Sequence, residues 1–372
     1  MPFYFIVFIG RRRSMGEIRV ALAGIGSCAS SLVQTADFVR RDSTALNGIM
    51  YERIGGYRVS DMQFVAAFDV DSRKVGLDLA KAVVTPSVAA VLHTDIEPTG
   101  VSVEPGPLLD GIGGNLVGVV EPHPASREAT IDDVADRLTA VRADVLVCLL
   151  PTGATEAIQS YARAAVRAGV AFINATPEPV VHDPALAAAF AERGVPLLGD
   201  DLRSHLGATT LHTALIELLQ SRGLAVVNTY QLNVGGNTDF LNLADPGRAV
   251  QKTRTKRSAL QAAGIDASTV SAGPNGFVEY LGDEKVCMIR VEASSVLNSA
   301  LTLDIRMQVE DSPNATGVLV NAVRIAKTAA EHGHAGAVHD ACAFLFKNPR
   351  VGATESVGIR QFRAYVDSVA RD

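Results

Sequence analysis

Five apolar runs spaced by helical patterns constrain this chain more than any other feature. IRVALAG, QFVAAFDV, ADVLVCLLP, VAFINATP and VPLLGDD lie between Ile18 and Asp201. Between the last three stand ATEAIQSYARAAVRAG and DPALAAAFAERG, which carry helical periodicity and end in Gly. Strands that are apolar along their whole length need cover on both faces, and strands joined by helices run parallel. The expected fold class is therefore α/β, a doubly wound, Rossmann-like parallel sheet with ligands at the C-terminal ends of its strands.

The first run leads into ALAGIGSCAS, residues 21–30. It contains Gly24-x-Gly26-x-x-Ala29, in which Gly24 suits a tight turn and Gly26 lets a pyrophosphate approach the backbone. Ala29 lets helix and strand pack closely. With Ser27 and Cys28 these residues form the expected cofactor-binding turn. Such patterns also occur in plain strand–helix turns, so a second signal matters. The second run ends in Asp69, where a carboxylate receives the ribose hydroxyls of NAD and repels the 2′-phosphate of NADP. The usual gap is about twenty residues. Here Asp69 comes much later, so an insertion around residues 37–62 must leave the fold between helix and strand. A solvated acidic turn is the competing reading.

Composition narrows the classes. A 372-residue chain with 48% hydrophobic and 20% charged residues fits a soluble protein of one large or two medium domains. A net charge of −6 argues against nucleic-acid and anionic-membrane surfaces. Any anion site must come from a local basic cluster. Cys28, Cys148, Cys287 and Cys342 lack metal-ligand spacing and read as reduced thiols of a cytoplasmic protein, with no metal site expected. In MPFYFIVFIGRRRS the arginines follow the apolar run, the reverse of a signal peptide, and the run is too short to span a bilayer. It reads as an extension upstream of a start at Met15.

After about Ala225 the pattern changes. VVNTYQLNVGG, KVCMIRVEASS and LTLDIRMQVED read as strands of a second sheet, and TGVLVNAVRIAKTAAEHG as a long helix. The expected division is 15–225 for a nucleotide-binding domain and 226–315 for a catalytic and oligomerising α+β domain. Residues 316–372 are expected as helices packing back on the first domain. In NVGGNTDF, Asn233, Asn237 and Asp239 surround two glycines, which suggests a loop that a ligand approaches closely. In QKTRTKR, Lys252 and Lys256 share one helix face. Two ammonium groups there need an anion, or they depress each other's pKa. A solvated basic turn is the alternative. GDEKVCM sets Lys285 against Asp283, VEDSPNATG sets Asp311 before a helix start, and AFLFKNP sets Lys347 after an apolar helical stretch. One such lysine would be a surface residue, but the combination points to a site. His332 and His334 read as a helix-end turn.

These segments resemble those of the myo-inositol-1-phosphate synthase (inositol-3-phosphate synthase) family, short bacterial type. The matching stretches are GIGSCASSL, FVAAFDVD, LDGIG, GDDLRSHLGAT, LNVGGNTDFLN, KTRTK, GDEK, EDSPNATGV and FLFK, in the family's order. The resemblance implies an isomerase with catalytic NAD, a cytoplasmic homotetramer. It implies conversion of glucose 6-phosphate to 1L-myo-inositol 1-phosphate by oxidation, enolisation, intramolecular aldol cyclisation and reduction. By resemblance, Lys252 and Lys347 match proton-transfer and C5-oxygen positions, and Lys256 and Lys285 match phosphate and oxyanion positions. Asn233, Asn237, Asp283 and Asp311 match residues that orient substrate, nicotinamide or the lysines, and Asp239 is expected among the substrate-binding residues. Ser204 falls in the phosphate segment and Asp201 near the nicotinamide. A cation requirement stays open.

The departures from the family pattern are Arg203 where a lysine is usual, Val286 and Cys287 after Lys285, and altered NATPEPVV and LLPTGATE segments. They leave room for a paralogue that cyclises another hexose phosphate, such as fructose 6-phosphate, to a five-membered cyclitol phosphate. A non-catalytic NAD-binding sensor is the remaining reading, and four intact lysines count against it.

Overall fold

A computed structural model describes residues 16–262, 264 and 271–370; the expected N-terminal extension lies outside the described residues. The five apolar runs become β1 (Ile18–Ala23), β2 (Met62–Asp69), β4 (Val145–Cys148), β5 (Ala171–Asn174) and β6 (Pro196–Leu198). Two further strands, β3 (Val103–Pro105) and β12 (Gly336–Ala337), carry too few residues to show a period and were not legible in the sequence. All pair in parallel, in the order β12-β6-β5-β4-β1-β2-β3. Every residue of β4, β5 and β6 is buried, as two-sided cover requires.

The order reverses between β1 and β4, so their C-terminal ends open a crevice. Helices α1 (Ser27–Arg41), α2 (Leu79–Ala82), α3 (Ile131–Ala140), α4 (Thr155–Ala168) and α5 (Pro184–Arg193) cover the sheet. Helices α4 and α5 end in left-handed Gly169 and Gly194, at the glycines read as stop signals. The late arrival of Asp69 is explained by residues 42–61, which leave the fold between α1 and β2.

Helix α6 (Ala208–Ser221) leads into the second sheet, built from β7 (Ala225–Gly235), β8 (Ser271–Ala272), β9 (Gly276–Phe277), β10 (Glu284–Ser294) and β11 (Ala300–Glu310). The central antiparallel order is β11-β10-β7, and Cys287, Ile289, Val291 and Ala293 of β10 form its small apolar core with α6. Between β7 and β8 run α7 (Thr238–Leu243) and α8 (Pro246–Ala262). The chain then returns through α9 (Asp311–Glu331), α10 (His339–Leu345) and α11 (Glu355–Val369). Helix α9 packs on α1 and across β5 and β6, and its apolar residues join the main core. Its buried Arg324 donates to the Tyr51 carbonyl at 2.8 Å, tying down the 42–61 insertion.

Candidate functional site

β1 leaves its sheet through Gly24, whose φ of +89° places it in the left-handed region. A Cβ there would stand 2.7 Å from the Leu149 carbonyl oxygen. At Gly26 a Cβ would meet nothing within 4 Å, so the backbone lies open to the crevice at the N-terminus of α1. The first turn of α1 holds no acidic residue, leaving its N–H groups and dipole free to receive an anion. Gly24, Gly26, Ser27, Cys28 and Ala29 all line the crevice. Ser27 also accepts the Ala89 N–H at 3.0 Å and secures a neighbouring loop. Burial, with Asp311, Asp283 and Asp239 nearby, pushes the Cys28 thiol up to about 12, so it is not a nucleophile at neutral pH.

Asp69 lines the same crevice and holds the glycine turn as well. Its Oδ2 accepts the Ile25 N–H at 2.7 Å, and Oδ1 accepts Val70 and Asp71 N–H at 2.7 and 2.9 Å. Beside it lies Lys74, 5% exposed, with Nζ 2.8 Å from the Ile25 carbonyl and 3.8 Å from Asp69 Oδ2. No spacing rule marks Lys74, and sequence reasoning missed it. These residues fit a dinucleotide: an open glycine at a helix start, and a carboxylate at the end of the second strand.

The crevice continues to the second sheet, where Gln231 and Asn233 of β7 form its buried floor. Gln231, also missed, donates to Asn233 Oδ1 at 3.2 Å, while its own Oε1 is without a partner. Asn237 caps α7 by accepting the Phe240 N–H. Gly236 is needed where the chain closes on itself, since a Cβ would lie 2.5 Å from Gly282 N. Ser204 lines the crevice, as do Asp239, Lys252, Lys256, Lys285, Asp311 and Lys347. Residues from six segments, spread along the chain from Ser204 to Lys347, thus converge.

Three of the four lysines face carboxylates. Fully buried Asp201 receives Lys347 Nζ at 2.8 Å, stands 3.6 Å from Lys252, and accepts the Thr255 hydroxyl. Lys285 bonds Asp311 at 2.9 Å, and Lys252 lies 3.8 Å from Asp239. Lys256, 6% exposed, has no carboxylate within ion-pair distance among the described residues.

The charges follow from these contacts. Burial works to raise the Asp201 carboxyl, but Lys252, Lys347 and the Thr255 hydroxyl outweigh it and hold it well below the carboxylate range. Burial likewise opposes charge on Lys252, yet Asp201, Asp239 and Asp311 raise it above the ordinary lysine value. For Lys347 burial wins and lowers the ammonium to about 8, against the attraction of Asp201. Lys256 is driven well below its ordinary value by burial and by Lys285, Lys347 and Lys252. Burial lifts Asp283 to about 6 even though Ser312 and Asn237 donate to it.

Three sequence-based placements change. Lys285 pairs with Asp311, because Asp283 turns inward to Ser312 N–H and Oγ at 3.1 and 2.7 Å. Arg203 does not line the crevice: its guanidinium donates to the Phe346 carbonyl at 2.9 Å and pairs with Glu355. Cys287 faces the apolar core of the second sheet. The LLPTGATE and NATPEPVV segments do reach the crevice, through Leu149–Thr152 and Ala175–Pro177. Buried Glu178 braces the first of these by accepting the Gly153 N–H at 2.8 Å. Among the described residues, no group of three or more His, Cys, Asp or Glu side chains is placed to hold a metal, and no helix is long and apolar enough to cross a membrane.

Fold and site together define the class: a Rossmann-like enzyme whose strand-end crevice opens onto a lysine-rich pocket of a second sheet. Comparison with known proteins gives the family. Residues 207–312 match the family described as myo-inositol-1-phosphate synthase. The chain is 39% identical over 361 residues to inositol-3-phosphate synthase of Mycolicibacterium smegmatis, covering 95% of this chain and 98% of that protein. It is 38% identical to the enzyme of the same name from Corynebacterium glutamicum, covering 95% and 99%. Among solved structures it is similar to Ari2, with 36% identity, a TM-score of 0.77, and coverage of 95% and 99%. The chain belongs to the myo-inositol-1-phosphate synthase family, whose members are isomerases of the intramolecular-lyase type.

Proposed function

We propose that this protein converts glucose 6-phosphate to 1L-myo-inositol 1-phosphate with catalytic NAD. The observation that carries the reading is the convergence of Lys252, Lys256, Lys285 and Lys347 in the lining of the same crevice as Gly24 and Asp69. Gly24, Gly26 and the start of α1 would hold the pyrophosphate of NAD and Asp69 its ribose, and the bound cofactor would supply reversible hydride acceptance at C5.

The chain's own residues do the rest. Lys347, lowered to about 8 by burial, keeps a free-amine fraction at neutral pH and accepts the C5 hydroxyl proton. Lys252, kept charged by Asp201, Asp239 and Asp311, stabilises negative charge on the C5 oxygen. Lys285, held by Asp311, stabilises the oxygen charge that develops in the aldol step. Lys256 lacks a carboxylate and takes the phosphate, together with Ser204. Asn233, Asn237 and Asp239 orient the sugar, and Asp283 fixes the start of α9 through Ser312.

We read the active form as a cytoplasmic homotetramer; the half-exposed Leu232 and Met288 on the outer face of β7 and β10 support self-association. The altered Leu149–Thr152 and Ala175–Pro177 walls support a second reading, in which fructose 6-phosphate is cyclised to a five-membered ring.

The test is incubation with NAD and each hexose 6-phosphate, with products identified by mass and NMR. Glucose 6-phosphate should give an inositol phosphate with no net NADH. Stoichiometric NADH would show an ordinary dehydrogenase. Cyclisation of fructose 6-phosphate alone would establish the second reading instead.

A further inference from the structure

Arg248 stands at the start of α8, one turn before Lys252 and two before Lys256, so i, i+4 and i+8 follow one stripe of the helix. Its guanidinium leaves the second sheet's side and enters the nucleotide side. Nη2 donates to the Asp110 carbonyl at 3.0 Å. A Cβ on Gly113 would lie 2.1 Å from that same Nη2, and one on Gly153 would lie 2.4 Å from Arg248 Cδ. The side chain thus threads between two glycines of two loops. Both loops wall the crevice, one through Leu108, Gly111 and Ile112, the other through Thr152.

Two weaker stitches reinforce the same seam. Asn115 Nδ2 donates to the Leu241 carbonyl at 3.1 Å, and Asn242 Nδ2 donates to the Thr152 carbonyl at 2.8 Å. The loop that Arg248 grips is itself anchored, since Asp110 accepts the Glu156 and Ala157 N–H groups at the start of α4. Arg248 does not line the crevice, and its Nη1 is buried without a partner. The guanidinium is half-buried, and a buried donor atom left unbonded on it is costly in a role of pure packing.

We infer that Arg248 is a positioning residue that couples the two halves of the site. When the Gly111–Gly113 and Gly153 loops close on a nucleotide, the guanidinium seated between them fixes the start of α8. The helix then carries Lys252 and Lys256 at the depth a sugar phosphate requires. The inference rests on the reading of the crevice as a dinucleotide site and of the lysines as a phosphate site. Its chemical content is a coupling free energy between a dinucleotide and a phosphorylated polyol.

The experiment is calorimetric titration of NAD into the full-length protein with and without glucitol 6-phosphate, which lacks the C1 aldehyde and cannot be cyclised. Wild type should bind NAD more tightly with the polyol phosphate present, by about tenfold. Arg248→Ala should bind each ligand alone to within about threefold of wild type while the enhancement falls to about one. Gly113→Ala is the second probe. Gly113 has extended backbone (φ −166°), so its methyl group meets the Arg248 side chain first and displaces it. It should lose the enhancement to the same degree, and the double variant should be no worse than either single one. Thermal melting confirms that each variant is folded. Failure of wild type to bind NAD would overturn the reading of the site on which the inference stands. Cooperative binding retained by Arg248→Ala or by Gly113→Ala, or additive effects in the double variant, would overturn the coupling role alone.

Discussion

The Asp201 carboxylate accepts the Lys347 ammonium at 2.8 Å although Asp201 has no exposed surface at all. The pair is not a simple salt bridge, because Lys252 draws on the same oxygen from 3.6 Å. One carboxylate shared between two ammonium groups cannot neutralise both. Burial resolves the competition by lowering Lys347 to about 8 while Lys252 stays charged.

A pH dependence follows. If the free amine of Lys347 is the base, kcat should rise as pH climbs through about 8 and then level. Asp201 favours the ammonium, so Asp201→Asn removes that support and the rising limb should move to lower pH. Lys347→Arg should abolish turnover, since a guanidinium does not give up its proton. A pH–rate profile measured from 6 to about 10, bracketing the ordinary lysine range, checks this. A limb that stays at the same pH in Asp201→Asn would refute the assignment.

Lys256 is a buried amine whose charged form is opposed by burial and by Lys285, Lys347 and Lys252, against the smaller pull of Asp201. Replacing it by a shape-matched apolar residue, Lys256→Met, should stabilise the ligand-free protein by about 1–3 kcal/mol. If glucose 6-phosphate is the substrate, it should stabilise wild type against heat, and the same change should remove that stabilisation. The sign with pH is fixed. A lysine whose folded pKa is depressed costs most below that value, and its cost fades as pH rises toward the ordinary lysine value of about 10.4. The advantage of Lys256→Met should therefore shrink in alkali. Differential scanning calorimetry at neutral and alkaline pH reads both effects; a variant less stable than wild type at neutral pH would refute the account.

How much of this was legible in the sequence depends on range. The parallel sheet was legible because β1, β4 and β5 bury both faces, and the helix ends because Gly169 and Gly194 adopt left-handed conformations. β3 and β12 were not, since two or three residues show no period. Local spacing put Lys285 against Asp283, two positions away, but Asp283 precedes β10 and turns inward to Ser312, while Asp311 arrives from the end of β11 to meet Lys285. Lys74 and Gln231 earn their places only by tertiary proximity to Asp69 and Asn233.

Asp69 should govern nucleotide choice in two ways. Its removal frees the Ile25 N–H from its acceptor and leaves the buried Lys74 ammonium without its nearest carboxylate. Asp69→Ala should weaken NAD binding by roughly tenfold or more, about 1.4 kcal/mol. NADP should lose less or gain, because Lys74 is then free to face a 2′-phosphate. Kd values for both nucleotides, measured with Asp69→Asn as the milder variant, settle the matter. An unchanged NAD-to-NADP ratio in both variants would be incompatible with a specificity role.

Arg203 stands where the family usually has lysine, and its surroundings turn an apparent substrate contact into an anchor. Its backbone N–H donates to the Leu345 carbonyl at 2.9 Å, its Nε to the Phe346 carbonyl at 2.9 Å, and its guanidinium pairs with Glu355 at the start of α11. Residues 345 and 346 immediately precede Lys347, whose own N–H donates to the Asp201 carbonyl at 2.7 Å. A lysine at position 203 has one donor centre and cannot span both the carbonyl and the carboxylate. Arg203→Lys should therefore lower kcat by about tenfold, equivalent to about 1.4 kcal/mol, through displacement of Lys347. KM for glucose 6-phosphate should change little, since Arg203 does not line the crevice. NAD affinity should also hold, because Arg203 does not line the crevice that contains the glycine turn. Steady-state kinetics with glucose 6-phosphate separates the possibilities. Improved turnover in Arg203→Lys would show that lysine is the better anchor, and a raised KM at constant kcat would place residue 203 against the substrate after all.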